Sequence, residues 1–484
     1  MKLASIPLLL KLLIASPASA DEFLMLQSST GDQLKVQLID YDTKSGTALL
    51  RRSDGQEFPT PLAILAKDSR DLVTKTWTKK IAFVEKTMGP LNDALGIPLF
   101  IKPGKLWNEK TSNVAARLKW PEESKTPYTS SYRRYTRPDY LVANAHPYTV
   151  VAYGDETGRT ESFSLIFSNK GDSLSTAGSA EDHFKDDGEK IDRKTLQGAM
   201  RYDEKTISAT LTKVLGPGTF QRFAGQGSKT VKVERWDWND HSFLLTHAKD
   251  EYVGLRIVKT SFADEKGKTD RISDGDMRIR LKANVTQKDN GDVYIDNIPM
   301  VDQGPKGYCA PATFERAMRH AGVEADMYLL ATLATTGGAG TNTRKLYDEV
   351  AFTTRSKGGR TARKIDLRTL QPKKLKKYID KGVPILWQMC SLPLYNSTAN
   401  KRTSERKKIT DWSAYGEKIQ AEAEANAKKM TERGNYHICM IIGYNKVTNE
   451  IAISDSWGRR YTIRWIHADE AEAVSNQSGF VIDL

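Results

Sequence analysis

The spacing of apolar and polar positions changes several times along the chain, and each change marks an expected element. Leu34, Val36 and Leu38 alternate with polar residues, the two-residue period of a half-buried strand, and Ala48 and Leu50 continue it beyond a Ser45-Gly46 turn. Asp54-Gly55, between Leu50 and Phe58, is a hairpin signal, and residues 61–73 read as a short helical tail. Residues 22–75 are therefore expected to form a small β unit. From 76 to 290 the pattern is mixed and predicts an α+β middle region. Two apolar stretches close on Leu-Gly, at 91–96 and 211–216, and read as helix ends. Strand-like runs follow each: 148–153 and 163–167 in the first half, then 231–236, 242–246 and 252–258 in the second. The parallel suggests a tandem repeat, with the Gly-, Ser-, Asp- and Lys-rich stretch 171–190 as linker. Trp236, Trp238, Phe243 and Tyr252 gather aromatic rings on the second sheet, either as core or as a peptide- or glycan-binding face. Met277, Ile279 and Leu281 alternate, so 277–283 read as one more strand.

The pattern is sharpest after 293. A Gly- and Pro-rich loop leads to Cys309. Beyond it, Ala310, Phe314, Ala317, Met318 and Ala321 recur at helical spacing. Pro311 is tolerated in a first helical turn, and Gly322 ends the helix. Cys309 thus stands at a helix N-terminus, where the partial positive charge favours the thiolate. Attack on a carbonyl also needs a base and an oxyanion donor. His437 opens the apolar run 438–444, a buried strand. A turn and a second strand, 450–454, deliver Asp455, and such a hairpin returns the carboxylate to the imidazole, whose N–H it can accept. Gln303, six residues before the cysteine, is placed to be the side-chain donor beside the Cys309 N–H.

Gln303-Gly304 before a helix-starting Cys309, a strand-borne His437, and Asp455-Ser456-Trp457-Gly458 after it resemble the papain-like cysteine peptidase superfamily. Asp455 stands where many members carry Asn, as in the bacteriocin-processing, double-glycine branch. The segments 307–313, Gly337-Gly338 with Thr341, and 437–444 look like that branch too. The resemblance implies peptide-bond hydrolysis through an acyl-enzyme, catalytic roles for Cys309, His437, Asp455 and Gln303, and Trp457 shielding the Asp–His pair. Residues 391–435 are long for the family and hold a helix-like stretch at 412–430, read as a lid, a specificity arm or a surface decoration. A weaker likeness links residues 22–75 to the Sla-one homology domain, a small barrel of the Src-homology-3 type. It rests on Gly31, the 51–55 turn, Phe58 and the 61–68 segment.

Composition narrows the setting. Lys2, the apolar run 8–14 and Ala18-Ser19-Ala20 read as an export signal cleaved after residue 20. The run is far short of the ~20 residues of a membrane span, and no integral membrane segment is expected. The 484 residues carry three cysteines, Cys309, Cys390 and Cys439, too few for a disulfide framework. Cys390 and Cys439 lie in apolar runs and read as buried thiols. The net charge of +13 includes 60 acidic residues, so it is read as solvated surface, with no nucleic-acid partner. The expectation is an exported α+β multidomain protein: signal 1–20, a small β-barrel at 22–75, the middle region at 76–290, and a papain-like helix-on-antiparallel-sheet domain at 293–484. Its partner would be a peptide or protein substrate, with no cofactor. The middle region would hold substrate or act as a prosegment cleaved near Asp289. An inactive scaffold and a transglutaminase-type acyl transferase are the alternatives. Oligomeric state is not legible.

Overall fold

The computed structural model describes residues 23–173, 195–224, 230–268, 271–304, 307–334 and 341–484. The expected signal, most of the expected linker and the Gly337-Gly338 pair lie outside the described residues. Among the described residues the chain is α+β, with helices packed on three antiparallel sheets.

The first sheet is a four-stranded meander of β1 (Phe23–Gln27), β2 (Gln33–Asp42), β3 (Thr47–Arg52) and β4 (Glu57–Pro61). Leu24, Leu26, Val36, Leu38, Ala48 and Leu50 bury its inner face, as the alternation predicts. Among the described residues this sheet does not close into the expected barrel. Pro59 and Pro61 of β4 have no N–H to donate, so β4 ends the sheet as an edge, and β1 approaches the far end only through an isolated Ser28–Leu65 bridge. The helix Lys67–Leu95 closes this side with Val73. It ends on Gly96 in the left-handed conformation, φ 69°. The helical tail expected at 61–73 and the helix end expected at 91–96 are thus largely the two ends of one helix.

The second sheet contains β5 (Glu122–Lys125), β6 (Ser130–Tyr135), β7 (Thr149–Gly154), β8 (Thr160–Asn169), β9 (Thr219–Ala224), β10 (Thr230–Trp238), β11 (His241–Ala248) and β12 (Tyr252–Lys259). Its order, β5-β6-β7-β8-β12-β11-β10-β9, is two meanders joined edge to edge, with Leu165 opposite Leu255. Lys67–Leu95 precedes the first and Leu196–Leu215 the second. The two helices pack on each other, burying Val84, Leu91, Met200 and Ile207 against the sheet. Trp236, Trp238 and Phe243 are in this core, and Tyr252 is buried on the opposite face, so the aromatic concentration is packing and not a binding face. Residues 274–283 are a helix, Asp274–Ala283, and not a strand. Ser273 caps it by accepting from Asp276 N (3.1 Å), and Met277 and Leu281, one turn apart, are buried while Ile279 is 70% exposed.

The third sheet is built from β13 (Val285–Gln287), β14 (Asp292–Ile295), β15 (Thr361–Asp366), β16 (Ile385–Cys390), β17 (Tyr436–Asn445), β18 (Glu450–Ser454), β19 (Arg464–His467) and β20 (Ser475–Asp483). The order is β13-β14-β17-β16-β20-β15, with β18 on β17 and β19 on β18. The Cys309–His320 helix packs on β17 through Phe314, Ala317 and Met318, the helix-on-sheet arrangement expected. No described helix is long and apolar enough to cross a membrane.

Candidate active site

Cys309 is the first residue of its helix and the only one of the three free cysteines that is not fully buried. It opens into a cleft of 470 Å³ whose lining includes Thr341, Gln388, His437 and Asn476. His437 is the second residue of β17, opposite Met389 of β16. The β17–β18 hairpin pairs Met440 with Ser454, so the next residue, Asp455, comes back toward the start of β17. His437 Nε2 lies 3.0 Å from Asp455 Oδ1. With Nε2 so engaged, Nδ1 is the nitrogen left for the Cys309 thiol, to which the imidazole hydrogen-bonds. Trp457 stacks on the ring, centroids 4.7 Å apart.

The electrostatics follow from these contacts. Burial works against a charged Cys309, yet the hydrogen bond and charge of His437, helped by the N–H groups of Ile438 and Ala310, leave the thiol below its usual range. Burial also works against a charged His437, but Asp455 and Cys309 outweigh it and raise the imidazole to about 9. Asp455 is 1% exposed. Its burial penalty is overcome by His437 and Arg464, which hold it below the ordinary carboxylate range. In the same sheet, burial first, with the negative charges of Asp455 and Cys309 adding to it, drives Cys439 well above the usual thiol range. Cys390 and Cys439 are buried free thiols, as expected.

Gln303 is buried, and its N–H donates to Ser456 O (2.9 Å), so the loop lies along the Asp455-Ser456-Trp457 segment. The structure brings Cys309, His437 and Asp455 together, and it places Gln303 on the adjoining loop through its backbone. Arg464 was not expected. Its Nε and Nη2 donate to Asp455 Oδ2 at 3.1 and 2.6 Å, while Nη1 reaches Asn396 (3.2 Å) and Asn400 (3.3 Å). Those two asparagines lie on the Pro393–Glu405 helix, inside the long segment read as a lid or decoration. That segment supports the carboxylate from behind. The helix expected at 412–430 forms as Trp412–Ala427 and buries Tyr415, Ile419 and Ala423, packing against Ala468–Val474. Arg316 was also missed. Fully buried in the nucleophile helix, it donates to Pro299 O (3.0 Å) and to Ser454 Oγ, tying helix, loop and hairpin together. The sequence carries no signal for either arginine: Arg316 shares its helix with Glu315, Arg319 and His320, and Arg464 opens a four-residue strand.

A thiol at a helix start, an imidazole on a strand and a carboxylate behind it thus stand together beside one cleft. Residues 295–479 match the model of the Peptidase_C39 like family. Among solved structures, the chain is similar to the peptidase domain of Streptococcus ComA, a bi-functional ABC transporter involved in a quorum sensing pathway. The identity is 14% and the TM-score 0.24, over 38% of this chain and 96% of that one. No curated protein matches. The Sla-one likeness of residues 22–75 finds no support in these matches.

Proposed function

We propose that the protein is a cysteine peptidase. The single observation that carries this reading is the Cys309–His437–Asp455 line, with its 3.0 Å imidazole–carboxylate contact, at the side of an open cleft. The Cys309 thiolate attacks the scissile carbonyl. The oxyanion is held by the Cys309 N–H and the Gln303 side chain, a contribution of roughly 10²–10³-fold per donor. The His437 imidazolium gives its proton to the leaving amine, and the neutral imidazole then takes one from the water that hydrolyses the thioester. Asp455 holds the tautomer throughout. The substrate is a peptide or protein. We further propose export through a signal at 1–20, and unit boundaries at 22–75, 76–290 and 293–484, each holding one sheet or most of one.

An acyl transferase would use the same three groups, and incorporation of an amine in place of hydrolysis would distinguish it. The deciding measurement is iodoacetamide labelling at mildly acidic pH of the wild type, Cys309→Ala and His437→Ala. Strong labelling that is lost in Cys309→Ala and much reduced in His437→Ala is expected. Equal labelling of wild type and His437→Ala would overturn the reading in favour of an inactive scaffold.

A further inference from the structure

The loop carrying Gln303 is not held by the peptidase region alone. Met300 N donates to Ser124 Oγ (2.9 Å) and Asp302 N to Glu123 Oε1 (2.8 Å), both acceptors on β5. The Tyr135 hydroxyl, at the end of β6, donates to Asp302 O. Its ring lies against Gly304, where a Cβ would stand 3.0 Å from Tyr135 Cζ and where φ is +63°. Gln303 is therefore flanked on both sides by residues fixed to the second sheet, while its own N–H is fixed to Ser456.

Glu123 is itself locked. Arg133 Nε donates to its Oε1 (2.7 Å) and Ser131 Oγ to its Oε2 (2.9 Å), and the Glu123 and Arg133 side chains are 4% and 2% exposed. The network continues from Arg133 to the Tyr153 hydroxyl (3.3 Å), and from there to Glu315 Oε1 (3.1 Å) on the nucleophile helix. A buried ion pair is costly to desolvate, and apolar residues of similar volume often stabilise as well. What this pair supplies is direction: a fixed, charge-assisted acceptor for the Asp302 N–H. The described residues of the second sheet do not line the cleft, which is lined from 307 to 476. An inhibitory prosegment would sit in it.

We infer that Glu123 and Tyr135 are positioning residues for the oxyanion donor Gln303, so that the middle region completes the active site instead of masking it. This inference rests on the cysteine-peptidase reading. The test uses two reactions of the same thiolate in the full chain. With p-nitrophenyl acetate, Sγ bonds to the acyl carbon, p-nitrophenolate leaves, and water then releases acetate and restores the thiolate. That path passes through an oxyanion. With iodoacetamide, Sγ bonds to the methylene carbon and iodide leaves, and no oxyanion forms.

Tyr135→Phe and Glu123→Gln are expected to lower kcat for the ester on the order of tenfold, with KM little changed, less than the ~10²–10³-fold of Gln303→Ala. Their alkylation rates should stay within about twofold of wild type. In the Gln303→Ala background, Tyr135→Phe should add nothing. Wild-type ester kinetics in both variants, parallel loss of both reactions, or a full additional loss in the double variant would each overturn the positioning role. A wild type whose Cys309 is not alkylated preferentially, or hydrolyses the ester no faster than Cys309→Ala, would sink the peptidase reading itself and the inference with it.

Discussion

Two buried histidines, one in each large sheet, respond to burial in opposite directions. His241 opens β11 among the rings of Phe100, Trp107 and Trp238. Its Nε2 accepts from Leu106 N (3.0 Å), which leaves Nδ1–H to donate to Trp238 O (3.1 Å). The neutral ring is satisfied, and burial pushes its pKa down to about 4 despite the neighbouring Asp240. His437 is also buried and stacked on a tryptophan, yet it rises to about 9, because Asp455 and Cys309 reward the cation more than burial penalises it. Glu251 and Glu315 make the same point from the acid side. Both are raised to about 7, chiefly by burial, with arginine or lysine partners opposing, and neither lines the cleft. A shifted group marks chemistry when charged partners set the shift and the group reaches a cleft. His241, Glu251 and Glu315 are shifted chiefly by burial and stand away from the cleft.

The largest expected effect is at the partner that distinguishes the two histidines. Cys309→Ala, or His437→Ala, should lower kcat/KM for peptide hydrolysis by at least about 10⁴-fold, measured under single-turnover conditions, since nucleophile and base act as a unit. A residual rate above a hundredth of wild type would remove Cys309 from the reaction.

Asp455→Asn makes His437 more like His241. The expected loss in kcat is roughly 10²–10⁴-fold. The pH profile gives the sharper readout. The imidazolium that protonates the leaving amine is lost as pH rises through about 9, so activity should fall on that alkaline limb. Without the carboxylate, the limb should move to lower pH. An unmoved limb would mean that Asp455 does not set the His437 charge.

Arg464→Met tests the layer behind. Asp455 would keep one cationic partner and lose the guanidinium that accounts for its second oxygen. Removing one member of such a buried pair costs about 3–5 kcal/mol, to be read as a lowered urea midpoint with an unchanged slope. A midpoint equal to wild type would show that water or Asn396 replaces the arginine at no cost.

The site was more legible in the sequence than the fold that holds it. Gln303, Cys309 and Asp455 each sit beside residues with a local conformational meaning: a glycine-rich loop, a helix start, a hairpin end. Arg464 and Arg316 act across 9 and 138 residues, to Asp455 and Ser454, and nothing in their own neighbourhoods points to those partners. β5 and β6 were missed for a related reason. Their residues, Glu-Glu-Ser-Lys and Ser-Ser-Tyr-Arg-Arg-Tyr, show no apolar alternation, because their buried face is satisfied by Glu123–Arg133 and hydroxyls. The strand expected at 277–283 failed because Met277, Ile279 and Leu281 fit both a period of two and a helix. The cap at Ser273 decides between them, and it leaves Ile279 in solvent.

The smallest effect separates the two histidines by stability instead of rate. His241 has a folded pKa near 4, below its ordinary 6.5. The folded state therefore binds fewer protons than the unfolded chain. Its contribution is present above 6.5 and is lost as pH falls from 6.5 toward 4, about 3 kcal/mol for a shift of this size. His437 has the opposite sign: its contribution is complete below 6.5 and is lost as pH rises through about 9. Urea unfolding at a series of pH values should show this directly. His241→Asn removes the titration and should flatten the acid limb by about 3 kcal/mol while leaving the alkaline limb intact. His437→Gln should flatten the alkaline limb and spare the acid one. If the acid slope of His241→Asn matches wild type, burial of a neutral imidazole is not what the second sheet stores there. The acid limb would then belong to His320 and His467, which burial likewise pushes down to about 4.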